Sequence, residues 1–178
     1  MNIINDLNGD LSREYQSAIF YTAASQTLKE AGYMHVAKEM EADAHEELGH
    51  AKELAKQIDY LGGTPVVQQA SCKLPTKAAE ILRYAQIQEK TAIANYTKRI
   101  QEAESARCFA LAQALRDIIA DEQDHDIMLS TALACCEKDE EETPEEEEIP
   151  AEESKEAEDD EEVPVNKKNS NKKIEDEY

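Results

Sequence analysis

The sequence predicts an all-α protein: a four-helix bundle with one long crossover between its second and third helices, followed by a disordered acidic C-terminal tail. Three observations predict it. Four segments carry apolar residues at alternating steps of three and four, the rhythm of one face of a helix. Residues 62–75, with two glycines, two prolines and no periodicity, separate the second segment from the third. Residues 137–178 hold 20 of the 40 Asp and Glu but only 6 of the 19 Lys and Arg, so that stretch carries −14 of the total −21.

The first helix should run from about Ile4 to Lys29, with Leu7, Leu11, Glu14, Ala18, Tyr21 and Leu28 on its apolar stripe and Gly32 as its stop. The second carries Val36, Met40, Asp43, Glu47, His50, Leu54, Ile58 and Leu61, and Gly62-Gly63-Thr64-Pro65 ends it. The loop over 62–75 can reach about 46 Å when extended. That is enough to return along a helix of about 40 Å, so the second and third helices should be parallel, as in bundles with a single crossover. The third helix starts near Thr76 as N-cap, with Ala78, Leu82, Ala85, Glu89, Ala92, Tyr96 and Ile100 on its stripe. After a turn near Glu104-Ser105 the fourth carries Leu111, Leu115, Ile118, Glu122, His125, Leu129 and Ala132. Residues 1–136 then form the bundle. Residues 137–178 form a low-complexity tail with too little apolar surface to offset the entropy of ordering.

Within those stripes sits a repeated pattern. Glu47-x-x-His50 and Glu122-x-x-His125 each place a carboxylate and an imidazole one turn apart on a helix face. Each is preceded, 33 residues upstream, by a lone glutamate, Glu14 and Glu89. Antiparallel neighbours and parallel second and third helices bring all six side chains to mid-bundle. Four ionised carboxylates in an apolar core are costly unless neutralised. Two divalent cations supply +4, and the nitrogen and oxygen donors suit iron, manganese or zinc better than calcium. The reading assigns Glu14 and His50 to one metal and Glu89 and His125 to the other, with Glu47 and Glu122 bridging. Tyr21 and Tyr96, seven residues after Glu14 and Glu89, are placed either to hydrogen-bond behind the site or to pack as core tyrosines with their hydroxyls satisfied elsewhere. His35 and His45 fall on surface positions.

Composition excludes other classes. So acidic a chain repels phosphate backbones and anionic lipid, which argues against nucleic-acid and membrane partners. No apolar run approaches the ~18 residues that span a bilayer, and the N-terminus lacks a basic start with an apolar core. Cys72, Cys108, Cys135 and Cys136 form no C-x-x-C pair or disulfide framework and read as ordinary thiols. The expectation is a soluble, cytoplasmic protein.

Glu14 with Tyr21, Glu47-x-x-His50-Ala51, Leu61-Gly62-Gly63-Thr64-Pro65, Glu89 and Glu122-x-x-His125 resemble, in order and spacing over residues 1 to about 136, the ferritin-like diiron proteins, and among them bacterioferritin most. The resemblance implies a ferroxidase centre within each subunit that binds two iron ions. Fe²⁺ would be oxidised by O₂ or H₂O₂ and stored as ferric mineral in a hollow homo-oligomeric cage of 24 or 12 subunits. Three departures stand out. The family's haem-binding methionine, directly after the motif glutamate, is here Leu48, so haem is not expected. The short fifth helix of the 24-subunit shell gives way to the acidic tail. The extra glutamate and four-cysteine site of the related rubrerythrins are missing, with Ala92 at the glutamate's position. Two other readings stay open: a non-storing dinuclear manganese or iron oxidase or peroxidase, and a metal-free interaction module that displays the tail. The tail itself reads as a solubilising bristle or as a gatherer of iron.

Overall fold

In a computed structural model, which describes residues 3–141 and all side chains to Cys135 except that of Ala31, four helices make up most of the described chain: α1 (Ile3–Thr27), α2 (Met34–Tyr60), α3 (Ala78–Ser105) and α4 (Phe109–Glu141). Contacts between side chains give their directions. From Asp10 to Phe20, α1 meets α3 at Arg99, Tyr96, Gln88 and Tyr84 in falling order, so these two are antiparallel. Along α3 and α4, Gln86 meets Ser130, Lys90 meets Asp126, and Glu104 meets Arg116, again antiparallel. His50 of α2 faces Asp121 of α4 while Asp43 faces His125, a third antiparallel pair. It follows that α2 and α3 are parallel, as the crossover demands.

The crossover does not hang free. It climbs along α1, where Asn8 donates to the Thr64 carbonyl at 3.1 Å and accepts from the Val66 N–H at 2.8 Å. Ser12 completes the strap: its hydroxyl donates to the Gln68 carbonyl, and its own carbonyl accepts from the Ala70 N–H, both at 2.8 Å. A strap without internal helix bonds thus satisfies backbone groups against α1 that would otherwise have only water.

Two helix ends share one device. After α2, Gly62 takes φ +80° and donates to the Asp59 carbonyl, while Gly63 donates to Ile58, closing a Schellman turn. A Cβ on Gly63 would sit 2.5 Å from Ile4 Cγ2, so this position also demands glycine for close approach. After α3 the same bonds recur, Arg107 to Glu104 and Cys108 to Ala103, but the left-handed position is held by Arg107 at φ 58°. A side chain there costs about 1–2 kcal/mol relative to glycine. Arg107→Gly is therefore expected to raise stability by about 1 kcal/mol in denaturant melts, with no change in metal binding.

Two expectations need correction. Gly32 does not stop α1: the helix ends at Thr27, and Gly32 lies inside a short 3-10 turn (Ala31–Tyr33) that leads straight into α2. Among the described residues the glycine with positive φ is Gly62, so Gly32 is not used as a left-handed cap. Thr76 is not the N-cap of α3; that place falls to Lys77, with extended backbone and no capping side chain. α4 itself runs to Glu141. The rest of the acidic tail lies outside the described residues.

The apolar stripes divide into two clusters. One holds Phe20, Tyr21, Val36, Met40, Leu82 and Leu129, and the other Leu7, Leu11, Leu54, Ile58, Tyr96, Leu111 and Leu115. All six repeated Glu and His side chains lie buried between them, at 6% exposure or less.

Candidate dinuclear metal centre

Each helix delivers its polar side chain at the level where its apolar stripe passes mid-bundle, which is why groups far apart in sequence converge. Glu14, Glu47, His50 and Glu122 offer ligand atoms within 4.8 Å of one another, as do Glu47, Glu89, Glu122 and His125. Glu47 and Glu122 belong to both groups. His50 Nδ1 lies 3.3 Å from Glu14, 3.6 Å from Glu47 and 3.3 Å from Glu122. His125 Nδ1 lies 3.6 Å from Glu47, 3.7 Å from Glu89 and 3.6 Å from Glu122. The two rings flank the space with centroids 6.4 Å apart.

Despite this crowding, Glu14 Oε2, Glu47 Oε1, both Glu122 oxygens and both Nδ1 atoms are buried without a hydrogen-bond partner. An orphaned buried polar atom costs about 1–3 kcal/mol, and six of them converge at one level of the bundle. Two divalent cations fit that donor set.

Without metal, protons carry the neutralisation. Burial, then the charges of Glu14 and Glu122, hold the Glu47 carboxyl well above the usual range. Burial likewise pushes Glu89 up to about 8 against the lowering influence of the His125 imidazole beside it. Burial alone would favour neutral imidazoles, but the carboxylates of Glu122, Glu14 and Glu47 raise His50, and those of Glu122 and Glu89 push His125 up to about 12. Burial also works against the ionised Glu122, yet His125 and His50 prevail and lower it.

Tyr21 and Tyr96 sit behind the site, but crosswise. Seven residues along a helix are about 10.5 Å, too far for Tyr21 to reach Glu14 on its own helix. Instead the Tyr21 hydroxyl donates to Glu89 of α3, and Tyr96 of α3 donates to Glu14 of α1. His35 and His45 are exposed, outside the site. Cys72, Cys108 and Cys135 are free thiols; Cys136 lies outside the described side chains. No described helix is long and apolar enough to cross a membrane.

Three neighbours were missed in the sequence. Asp121 Oδ2 accepts from His50 Nε2 at 3.2 Å, and Glu46 Oε2 accepts from His125 Nε2 at 3.1 Å. Asp43 Oδ1 stands 3.6 Å from His125 Nε2, and burial holds the Asp43 carboxyl up to about 6. The signal was present: an acid directly precedes each motif glutamate, so both copies read acid-Glu-x-x-His. Such partners fix the tautomer that leaves Nδ1 free and typically hold about 10–100-fold of metal affinity. Asp121→Asn is expected to weaken Zn²⁺ binding by about tenfold or more in a chelator competition, with the helical content unchanged.

The chain matches the ferritin-like domain model over residues 4–138. It belongs to the ferritin-like family. A bacterioferritin of Brucella melitensis is 26% identical over 132 residues, 74% of this chain and 82% of that protein. Among solved structures, a ferritin-like diiron-carboxylate protein of Bacillus anthracis is 34% identical, with TM-score 0.71, covering 74% of this chain and 94% of its own. BfrA, a bacterioferritin of Mycobacterium tuberculosis, shares the fold at TM-score 0.71 and 23% identity, covering 76% of this chain and 85% of its own. The buried carboxylate and histidine cluster of this ferritin-like chain has the donor set that a dinuclear metal site would need.

Proposed function

We propose that this ferritin-like protein is a ferroxidase that stores iron: two Fe²⁺ ions bind per subunit, are oxidised by O₂ or H₂O₂, and pass as ferric mineral into a hollow cytoplasmic homo-oligomer of 24 or 12 copies. The observation that carries it is the pair of four-residue groups sharing Glu47 and Glu122. Glu14 and His50 would hold one ion, Glu89 and His125 the other, with Glu47 and Glu122 between them. Bound iron supplies the one-electron steps, two ions delivering the pair that takes O₂ with two protons to H₂O₂.

The chain's own residues do the rest. The Tyr21 and Tyr96 hydroxyls hold Glu89 and Glu14 in position, and Asp121 and Glu46 aim the two imidazoles. Apolar clusters flank the site and limit water there, while one side meets a groove. That side is the seam of α2 and α4, where a groove of about 550 Å³, kept open by Gly49, Ala110 and Ala114, reaches His50. It offers a way in for the cation and the oxidant.

The test is to add Fe²⁺ to the protein without air, admit air, and count the iron that stays with the protein on gel filtration. Storage is supported by tens of ions per subunit. Retention of only about two, the capacity of the ligand set, would instead fit a non-storing dinuclear oxidase or peroxidase holding iron or manganese.

Haem is a separate matter. Leu48 is 53% exposed and offers no ligand atom, and Met40, another candidate on α2, is fully buried in the core. Purified protein mixed with haem is expected to show no stoichiometric haem absorbance band. A band would direct attention to Met34, which is 58% exposed.

A further inference from the structure

We propose that Arg99, paired with Asp10, is a positioning residue of the centre: the pair fixes the height of α1 against α3 and so the placement of Glu14, one of the two unshared carboxylates. The inference rests on the dinuclear reading above.

α1 and α3 belong to different hairpins, so no short connection sets their relative height. The core around them is apolar, and apolar contact is non-directional. Yet Glu14 takes its hydrogen bond from Tyr96 across that gap. Asp10 precedes Glu14 by four residues and Arg99 follows Tyr96 by three, so on antiparallel helices the two contacts are successive rungs about 5 Å apart. The Asp10 and Arg99 rung is built as a clamp. Arg99 is 5% exposed and Asp10 3%. Arg99 Nε donates to Asp10 Oδ2 at 3.0 Å, and Arg13 Nη1 donates to the other oxygen of Asp10 at 3.3 Å. Arg99 Nη1 reaches Glu102 and, at 3.5 Å, Asp6. A planar guanidinium fork held on so many sides has one defined place along the axis.

The chain's internal duplication shows that packing does not require this pair. Adding 75 to the residue number carries Glu14 to Glu89, Tyr21 to Tyr96, Glu47 to Glu122 and His50 to His125. The same shift carries Asp10 to Ala85, and Ala24 to Arg99. Ala24 and Ala85 are 1% exposed or less and lie in one apolar cluster. The fold therefore accepts two small apolar side chains at the equivalent level. A buried ion pair is weak evidence for stability, since well-packed apolar residues often serve as well, and its best attested use is to fix register. On the Glu89 side the polar contact between α1 and α3 is neutral and looser, Gln16 with Gln88 at 3.3 Å. The charged rung thus serves the Glu14 and His50 half alone.

Zn²⁺, which has no redox chemistry, tests this on the full chain. The double variant Asp10→Leu with Arg99→Met replaces the pair by apolar side chains and is expected to keep its helical content and to melt no lower than the wild type. In chelator competition one of its two tightly bound ions should weaken by about tenfold or more, with the other unchanged. Crystals loaded with Zn²⁺ below saturation should then lose anomalous signal between Glu14 and His50 and keep it between Glu89 and His125. Unchanged affinity for both ions, or equal weakening of both, would overturn the positioning role and leave the pair a structural one. If the double variant does not fold, Arg99→Lys decides: it keeps a charge beside Asp10 but not the fork, and should weaken the same ion alone, by a smaller factor. Wild-type affinity for both ions in Arg99→Lys would then overturn the proposal. A wild type that binds no pair of ions would overturn the dinuclear reading, and this inference with it.

Discussion

Replacing Glu47 with Gln is expected to bring rapid Fe²⁺ oxidation down to the rate of the solution without protein, while making the metal-free protein more stable. Both effects come from one position. Glu47 offers oxygens to both ligand groups, so an amide there removes a charge from each. Breaking a buried charge pair by removing one partner costs about 3–5 kcal/mol, roughly two to three and a half decades in affinity at about 1.4 kcal/mol per decade. In the metal-free state burial and two neighbouring carboxylates oppose that charge, so the folded chain must take up a proton at Glu47 near pH 7, a cost that an amide avoids. Relieving a poorly satisfied buried group should return about 1–3 kcal/mol, a few degrees in Tm for a chain of this size. Stopped-flow oxidation and a thermal melt of the chelator-treated protein check both halves. Unimpaired oxidation in the Gln variant would remove Glu47 from the ligand set, and an unchanged melt would show that it is not a burden in the free protein.

Metal removal is the larger stability effect, and it carries a pH signature. Glu47, Glu89, His50 and His125 all have raised folded-state pKa values. A group whose folded pKa is raised stabilises below its unfolded value and loses that contribution as pH rises through the folded one. For Glu89 the window opens near 4.5 and closes near 8; for His125 it opens near 6.5 and closes near 12. Glu122, lowered, acts in the opposite sense, and its contribution is lost only as acid protonates it. The Tm of the metal-free protein should therefore fall from pH 5 to pH 9, with each proton held only by the folded chain worth about 1.4 kcal/mol per unit.

Metal ions replace those protons. Binding of two divalent ions near pH 7 should release about one proton from each of the four raised groups, measurable with an indicator dye. At a thousandfold excess over Kd each site adds about 4 kcal/mol, so the loaded protein should melt well above the free one. A flat free-protein profile, or binding without proton release, would contradict the electrostatic account of the centre.

The helices and the six ligand candidates were legible because burial imposes a period. Glu14, Glu47, His50, Glu89, Glu122 and His125 interrupt stripes that, Asp43 aside, are apolar, and neutralisation explains six such interruptions at one level. The parallel placement of α2 and α3 was legible from the length of residues 62–75 alone. What escaped depends on which atoms meet across helices. Tyr21 and Tyr96 lie on the stripes as expected, but their partners are set by the antiparallel neighbour at the same level. Asp121 and Glu46 are exposed enough to read as solvated surface, and nothing in a single helix shows that an imidazole from the facing one ends there. Gly32 misled because a glycine after an apolar stripe suggests a left-handed cap, whereas the chain uses a 3-10 turn in an ordinary backbone region.

The crossover strap and the shared ligands bear on the order in which the chain folds. α1 with α2, and α3 with α4, are hairpins joined by short connections, and each can close with local contacts. Joining one hairpin to the other requires closing the longer connection, whose docking on Asn8 and Ser12 depends on α1 being formed. Neither hairpin contains a whole four-residue group: the first lacks Glu122, and the second lacks Glu47. Tight metal binding therefore belongs to the last event of folding. In refolding experiments that event should appear as a phase in which helical signal is already complete and both ions are captured together, with no species that holds one hairpin folded and one ion tightly bound.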